Sequence, residues 1–208
     1  MSAVTSRART RRSRSPSVGA RLTGGEASGR RLATISGDGL RASAGVVRAA
    51  CFNILGETVV GATVVDLFAG AGSLGLEALS RGARAVTFVE VRRERAAVVV
   101  RNAAALGYDH RARVVTGDAL SWLGSHRQDL IQADLVLMDP PYSEPGPALC
   151  LAALGRLGKV AAGDPTWAPL VVVEHHRRLQ LPLTVAALQC VRSSHYGSTQ
   201  LSFFRRLP

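Results

Sequence analysis

Val64-Val65-Asp66-Leu67-Phe68-Ala69-Gly70-Ala71-Gly72-Ser73-Leu74-Gly75 decides the fold of this 208-residue chain. An apolar run ends in an acid, glycines follow at short spacing, and a helix-compatible stretch opens at Ser73. Glycine lets a backbone approach a ligand closely, and the first turn of the following helix presents N–H donors. Outward from this segment the pattern alternates. Thr63–Leu67, Ala85–Glu90, Ala112–Thr116, Asp134–Met138 and Leu170–Glu174 read as strands; Ser73–Ser80, Arg92–Leu106 and Pro147–Leu157 read as helices. Repeated strand–helix units with nearly continuous apolar strands predict an α/β fold, its parallel sheet covered on both faces. After Glu174 the helices stop, and Leu183–Val191 with Thr199–Arg205 predict an antiparallel hairpin at one sheet edge.

Upstream, short strand-like pieces surround Arg31–Ile35, and Ala44–Leu55 sets Val47, Cys51, Ile54 and Leu55 on one helical face. Residues 1–20 carry almost nothing to bury and are expected to be disordered. The formal charge is +11, from 26 basic and 15 acidic residues. Much of it is local: Arg7, Arg9, Arg11, Arg12, Arg14, Arg21, Arg30 and Arg31 face one acid, Glu26. A flexible polycation attracts phosphate backbones by releasing counterions, although a merely solvated tail has the same composition. No apolar run approaches the roughly 18–20 residues needed to cross a bilayer, so no membrane role is expected. Cys51, Cys150 and Cys190 are odd in number and far apart, which suggests neither a disulfide framework nor a zinc site. A reducing cytoplasm fits.

Gly70-x-Gly72-x-x-Gly75, with Glu90 about 20 residues beyond Gly70, matches a dinucleotide fingerprint. The glycines alone do not separate NAD from S-adenosylmethionine. Asp66 tilts the choice, because a carboxylate there attracts the positively charged amino end of S-adenosylmethionine and repels a pyrophosphate. Glu90 suits paired ribose hydroxyls. Asp118, in Thr116-Gly117-Asp118-Ala119, suits an adenine amine. Each acid alone reads more simply as a helix cap or a solvated strand end. Three of them, at the carboxyl ends of three successive predicted strands, mark the rim where open α/β sheets bind ligands.

Leu135-Val136-Leu137-Met138-Asp139-Pro140-Pro141-Tyr142 carries the chemistry. Prolines stiffen the loop and lack N–H groups, which leaves nearby carbonyls free to accept. An exocyclic base amine needs such acceptors: the Asp139 side chain and the Pro140 carbonyl. Tyr142 offers a face on which an extruded base stacks. Rate acceleration would come mainly from positioning. A proline turn with a packed tyrosine is the simpler alternative for this segment in isolation; its place downstream of the cofactor segment favours a site.

Together these residues resemble class I methyltransferases, and more closely the RsmD family of bacterial 16S rRNA guanine-N2 methyltransferases. The resemblance runs through Gly39-Leu40-Arg41, Val47-Arg48, Phe52-Asn53-Ile54-Leu55, the segment from Asp66 to Ala83, Asp139-Pro140-Pro141-Tyr142 and Tyr196-Gly197-Ser198-Thr199. It implies a Rossmann-like, mostly parallel seven-stranded sheet with helices on both faces. The layout would be an extension over residues 1–20, an N-terminal segment over 21–60 and a methyltransferase domain over 61–208. Phe52, Asn53, Asp66, Phe68, Ala69, Gly70, Gly72, Glu90, Asp118 and Ala119 would hold S-adenosylmethionine, while Arg41, Arg48 and Tyr196 would face RNA. The implied substrate is 16S rRNA within an assembled small-subunit particle, the enzyme a cytoplasmic monomer without a metal. Ala42 and Ala49 depart from the family's usual proline and glutamate, outside the methyl-transfer motif.

The alternatives are a DNA adenine-N6 or cytosine-N4 methyltransferase and a noncatalytic RNA-binding assembly factor. The short stretch between Tyr142 and Leu170 leaves little room for a DNA-reading insertion. An NAD-dependent oxidoreductase would use the glycine turn, but the chain has no Tyr-x-x-x-Lys pattern, Lys159 being its only lysine. His175 and His176 would point to opposite faces of a strand, which disfavours a shared metal. His195 reads as a surface residue near the rim, and Trp122, Trp167 and Cys51 as packing.

Overall fold

A computed structural model describes residues 17–35, 44–141, 146–160 and 169–206. Five parallel strands form the centre: β3 (Thr63–Leu67), β4 (Ala85–Glu90), β5 (Ala112–Thr116), β6 (Leu135–Met138) and β7 (Leu170–His176). They follow β1 (Ser17–Arg21) and β2 (Arg31–Thr34), which pair with each other. The chain closes with β8 (Thr184–Val185), β9 (Leu188–Tyr196) and β10 (Thr199–Arg206). The large sheet runs β5-β4-β3-β6-β7-β10-β9-β8, with β10 antiparallel to both β7 and β9. The expected hairpin at the sheet edge is there, but the run expected as one strand over Leu183–Val191 is broken by a turn at Ala186 (φ 54°) into β8 and the start of β9, which continues to Tyr196 and makes the sheet eight-stranded.

The sheet is parallel because its strands are apolar on both faces. β6 is buried at every position; Leu135 and Leu137 join one core cluster while Val136 and Met138 join the other. Against the first face pack α1 (Ala44–Leu55), α2 (Ser73–Ser80) and α3 (Arg93–Leu106), through Phe52, Leu76, Leu79 and Val99. The opposite face carries α4 (Ala119–Ser125), α5 (Arg127–Ile131) and α6 (Gly146–Val160), through Trp122, Leu130 and Leu151. The result is a doubly wound, Rossmann-like three-layer fold. β3 leads outward to β4 on one side while β6 lies on its other side, so the topological switch falls between β3 and β6. A cleft is expected outside the carboxyl ends of those two strands.

The N-terminal segment is tied down by polar contacts rather than by length of strand. Glu77 of α2, fully buried, accepts from the Thr23 N–H at 2.8 Å and the Thr23 hydroxyl at 2.7 Å. Arg48 Nε donates to it at 3.1 Å and Arg81 Nε at 2.8 Å. Burial alone would push the Glu77 carboxyl up; the Thr23 donors and the two guanidinium groups outweigh it and hold the acid below its usual range. Asn102 of α3 adds a second tie, donating to the carbonyls of Ala33 and Ala71 and accepting from the Ala33 N–H.

Three expectations are corrected here. Arg48, expected to face RNA, is 3% exposed and committed to Glu77, so its charge is spent inside the protein. Phe52, expected beside the cofactor, is 1% exposed in the first core cluster, with the Arg81 guanidinium 5.3 Å from its ring centroid. Residues 17–20, expected to be disordered, begin β1, because pairing with β2 satisfies their backbone. Residues 1–16, Arg41, Tyr142 and Trp167 lie outside the described residues.

Gly75 sets the distance between α2 and the sheet. A Cβ there would meet the Phe88 ring at 2.3 Å. Gly75→Ala is therefore expected to destabilise the protein by about 1–3 kcal/mol through overpacking. Chemical denaturation measures it, and an unchanged midpoint contradicts the close-packing account.

Candidate functional site

The expected cleft is present, with a volume of about 470 Å³. Its described walls come from the carboxyl ends of four adjacent strands: Phe68 after β3, Glu90 to Arg92 after β4, Gly117 to Ala119 after β5, and Asp139 with Pro141 after β6. That volume lies within the roughly 300–1,000 Å³ range of small-molecule sites.

The glycine turn is built from below. Asp66, 1% exposed at the end of β3, accepts from the Gly75 N–H at 2.8 Å. The turn then passes through Gly70 (φ 58°) and Gly72 (φ 84°), left-handed conformations that glycine adopts without strain. The Gly70 N–H donates to Glu90 Oε2 and the Arg92 N–H to Glu90 Oε1, both at 2.8 Å. Each of those carboxylate oxygens keeps a further lone pair, so Glu90 can still accept from a pair of ligand hydroxyls. Phe68 sits at φ 64°, unusual for a non-glycine residue. Such strain, of order 1–3 kcal/mol, persists where the surroundings enforce it and is concentrated at functional sites.

The expected residues divide unequally. Phe68, Glu90, Asp118, Ala119, Asp139 and Pro141 share the cleft. Asp118 is also the N-cap of α4, accepting from the Ser121 N–H at 2.8 Å, so cap and cleft wall coincide. Pro140 is buried beside Asp139 and braces it. Ala69 and Gly70 shape the turn, the Ala69 N–H donating to the Val89 carbonyl, and Gly72 is the N-cap of α2. Asp66, expected to meet the ligand directly, lies beneath the turn, because the Gly75 N–H claims its carboxylate. Asn53 is exposed on α1 and is not among the cleft's described walls. Tyr196 is half-buried at the β9–β10 tip, packed against the first core cluster.

Arg92 and Arg95 also line the cleft, beside Glu90 at the start of α3, and sequence reasoning passed over them. The signal available was the charged run directly after the Glu90 strand end. Cys51 and Cys150 are pushed up to about 12, both mainly by burial, with Glu174 adding to the effect on Cys51 and Asp118 on Cys150. Neither thiol supplies a thiolate near neutral pH. His175 is buried and paired with the Ser202 hydroxyl at 2.9 Å, and His176 is half-buried on the other face. Among the described residues no group of three or more His, Cys, Asp or Glu gathers closely enough to hold a metal.

Burial pushes Asp66 from its ordinary 3.8 up to about 7; the Gly75 N–H opposes this, while Asp139 and Glu90 reinforce it. The sign follows. With the folded value above the unfolded one, the stability contributed by the protonated acid is complete below pH 4 and lost as pH rises toward 7. Asp66→Asn keeps an acceptor for the Gly75 N–H and cannot ionise. In cofactor-free protein, its thermal midpoint relative to the parent is expected to improve steadily between about pH 4 and 7. A difference curve that is flat across that range contradicts the assignment.

Comparison with known proteins agrees with this geometry. Residues 20–205 match the family described as Conserved hypothetical protein 95. The chain is 30% identical over 186 residues to YlbH of Bacillus subtilis, spanning 89% of this chain and 98% of that protein. The name of that relative carries a provisional rRNA methyltransferase assignment. Over 122 residues it is 39% identical to Ribosomal RNA small subunit methyltransferase D of Escherichia coli, covering 59% of this chain and 60% of the relative. The solved structure of yhhF from Escherichia coli superposes with a TM-score of 0.71 at 30% identity, covering 90% of this chain and 97% of that one.

Proposed function

This chain belongs to the Conserved hypothetical protein 95 family, the RsmD family of methyltransferases, and on that premise we propose that it transfers a methyl group from S-adenosylmethionine to the exocyclic N2 amine of a guanine in 16S rRNA. One observation carries the reading: Asp139 and Pro141 line the same cleft as Glu90 and Asp118, so an amine cradle and a nucleoside site share one space.

The donor set fits the cofactor. Glu90 presents lone pairs to paired hydroxyls, Asp118 offers its carboxylate to an adenine amine, and Ala119 adds an apolar wall. Asp66 beneath the turn favours a cationic ligand end, because positive charge nearby stabilises its ionised form. S-adenosylmethionine, when bound, supplies an electrophilic methyl group on a sulfonium.

The protein's own contribution is positioning. The Asp139 carboxylate and the Pro140 carbonyl accept the two N–H groups of the amine. Pro140 and Pro141 have no N–H to compete for those acceptors, and their rings restrict the backbone that carries them. Fixing the nitrogen this way converts an encounter into an intramolecular event, worth several orders of magnitude in rate. Closing the cleft over a flipped base also excludes water and strengthens each polar contact. The same reading places the enzyme in the cytoplasm as a monomer acting on an assembled small-subunit particle, residues 61–208 carrying the chemistry and 21–60 buttressing them.

Purified protein, labelled S-adenosylmethionine and unmodified small-subunit particles are expected to give label recovered as N2-methylguanine. Label confined to duplex DNA, or recovered as another nucleoside, rejects the assignment. Asp139→Ala is expected to leave cofactor affinity nearly unchanged and to lower turnover at least roughly a hundredfold, since it removes an acceptor that the reaction geometry requires. Near-normal turnover in that variant contradicts the role of Asp139.

A further inference from the structure

Val173 of β7 lies level with Met138 at the end of β6. β7 then continues through Glu174, His175 and His176, three residues past the acceptor strand. At roughly 3.3 Å per residue its end stands roughly 10 Å above the base of the Asp139 loop. Thr199 of β10 pairs with His176 at that height and with Tyr196 of β9, so the hairpin tip rises beside it. The two together form a raised wall on the same rim as the cleft.

The top of that wall is basic. The Arg177 N–H donates to the Ser198 carbonyl at 2.9 Å, and the Arg178 N–H to His176 Nδ1 at 3.1 Å. The Arg177 bond pins the turn to the hairpin and the Arg178 bond closes the turn on the His176 ring, while both arginine side chains are exposed. Among the described residues neither guanidinium has a hydrogen-bonding or ion-pair partner, in contrast to Arg48, Arg81, Arg111 and Arg113, which pair with acids. The nearest acid in sequence, Glu174, is buried at 6% exposure in the strand below.

We propose that Arg177 and Arg178 form a phosphate clamp for the RNA strand that delivers its base to the cleft, an inference that rests on reading the cleft as an RNA methyl-transfer site. A base leaves its stack by rotation about its own backbone, so the flanking phosphates must be held while the base enters. A guanidinium suits this task, because its planar fork matches phosphate geometry. Two of them, adjacent, unpaired and fixed at their backbones, stand at the end of β7, the strand next to the one that carries Asp139, roughly 5 Å across the sheet and roughly 10 Å above the Asp139 loop. That span accommodates the sugar–phosphate chain next to an inserted base. An acidic protein surface would use the same charges without needing their place above the cradle.

The test compares the full-length parent with Arg177→Ala/Arg178→Ala and Arg177→Lys/Arg178→Lys, using small-subunit particles for turnover and single-stranded RNA for direct binding. The alanine pair is expected to raise the KM for the particle roughly tenfold, with kcat and thermal midpoint little changed. Its log–log dependence of RNA affinity on salt should flatten by about 1.4, two phosphates at about 0.7 each. The lysine pair is expected to restore most of the salt slope and only part of the affinity, since charge returns without the fork. An unchanged KM and salt slope in the alanine pair overturns the clamp. A raised KM with an unchanged slope and no rescue by lysine also overturns it, pointing to a protein contact or a structural role. A parent that binds RNA more tightly than the alanine pair and yet transfers no methyl group rejects the cleft chemistry and leaves the clamp standing.

Discussion

The hydrogen bond from the Gly75 N–H to the buried Asp66 carboxylate joins the end of β3 to the start of α2, and the site is assembled around it. α2 can come this close only because Gly75 has no side chain to meet the Phe88 ring. With strand and helix fixed, the glycine turn has one path, and that path aims the Gly70 N–H at Glu90 on the neighbouring strand. Two acids from two strands are thereby locked to one backbone loop. A buried carboxylate in a low-dielectric interior is costly without such donors, so the acid and the turn depend on each other.

The central sheet was legible because β3, β4, β6 and β7 are buried on both faces, which leaves continuous apolar runs in the sequence. The carboxyl-end acids were legible for the related reason that a charge terminating such a run has few places to go except the rim. Glu90, Asp118 and Asp139 reached the cleft as expected. α4 and α5 were missed; at seven and five residues they are too short to show a helical period.

The remaining differences involve partners distant in sequence. Nothing local to Arg48 announces Glu77, 29 residues away, yet that pairing takes the arginine out of contact with solvent. Nothing local to Phe52 announces Arg81, and nothing near Asp66 shows that the Gly75 N–H turns back onto it. Residue type gave the chemistry of these side chains; tertiary packing decided which of them stayed available. The same contrast marks Arg177 and Arg178, which stay exposed because the chain turns away from the sheet at that point.

The fold thus separates two tasks along one rim. The β3–β5 side presents acids and N–H groups suited to a nucleoside, while the β6–β10 side presents a rigid acceptor loop and a raised basic wall. The most direct measurement of the account is calorimetric titration of the purified full chain with S-adenosylmethionine and with its demethylated product. Saturable one-to-one binding of both is predicted, lost on Glu90→Ala while the protein remains folded. A folded chain that gives no saturable signal with either ligand would contradict the central claim.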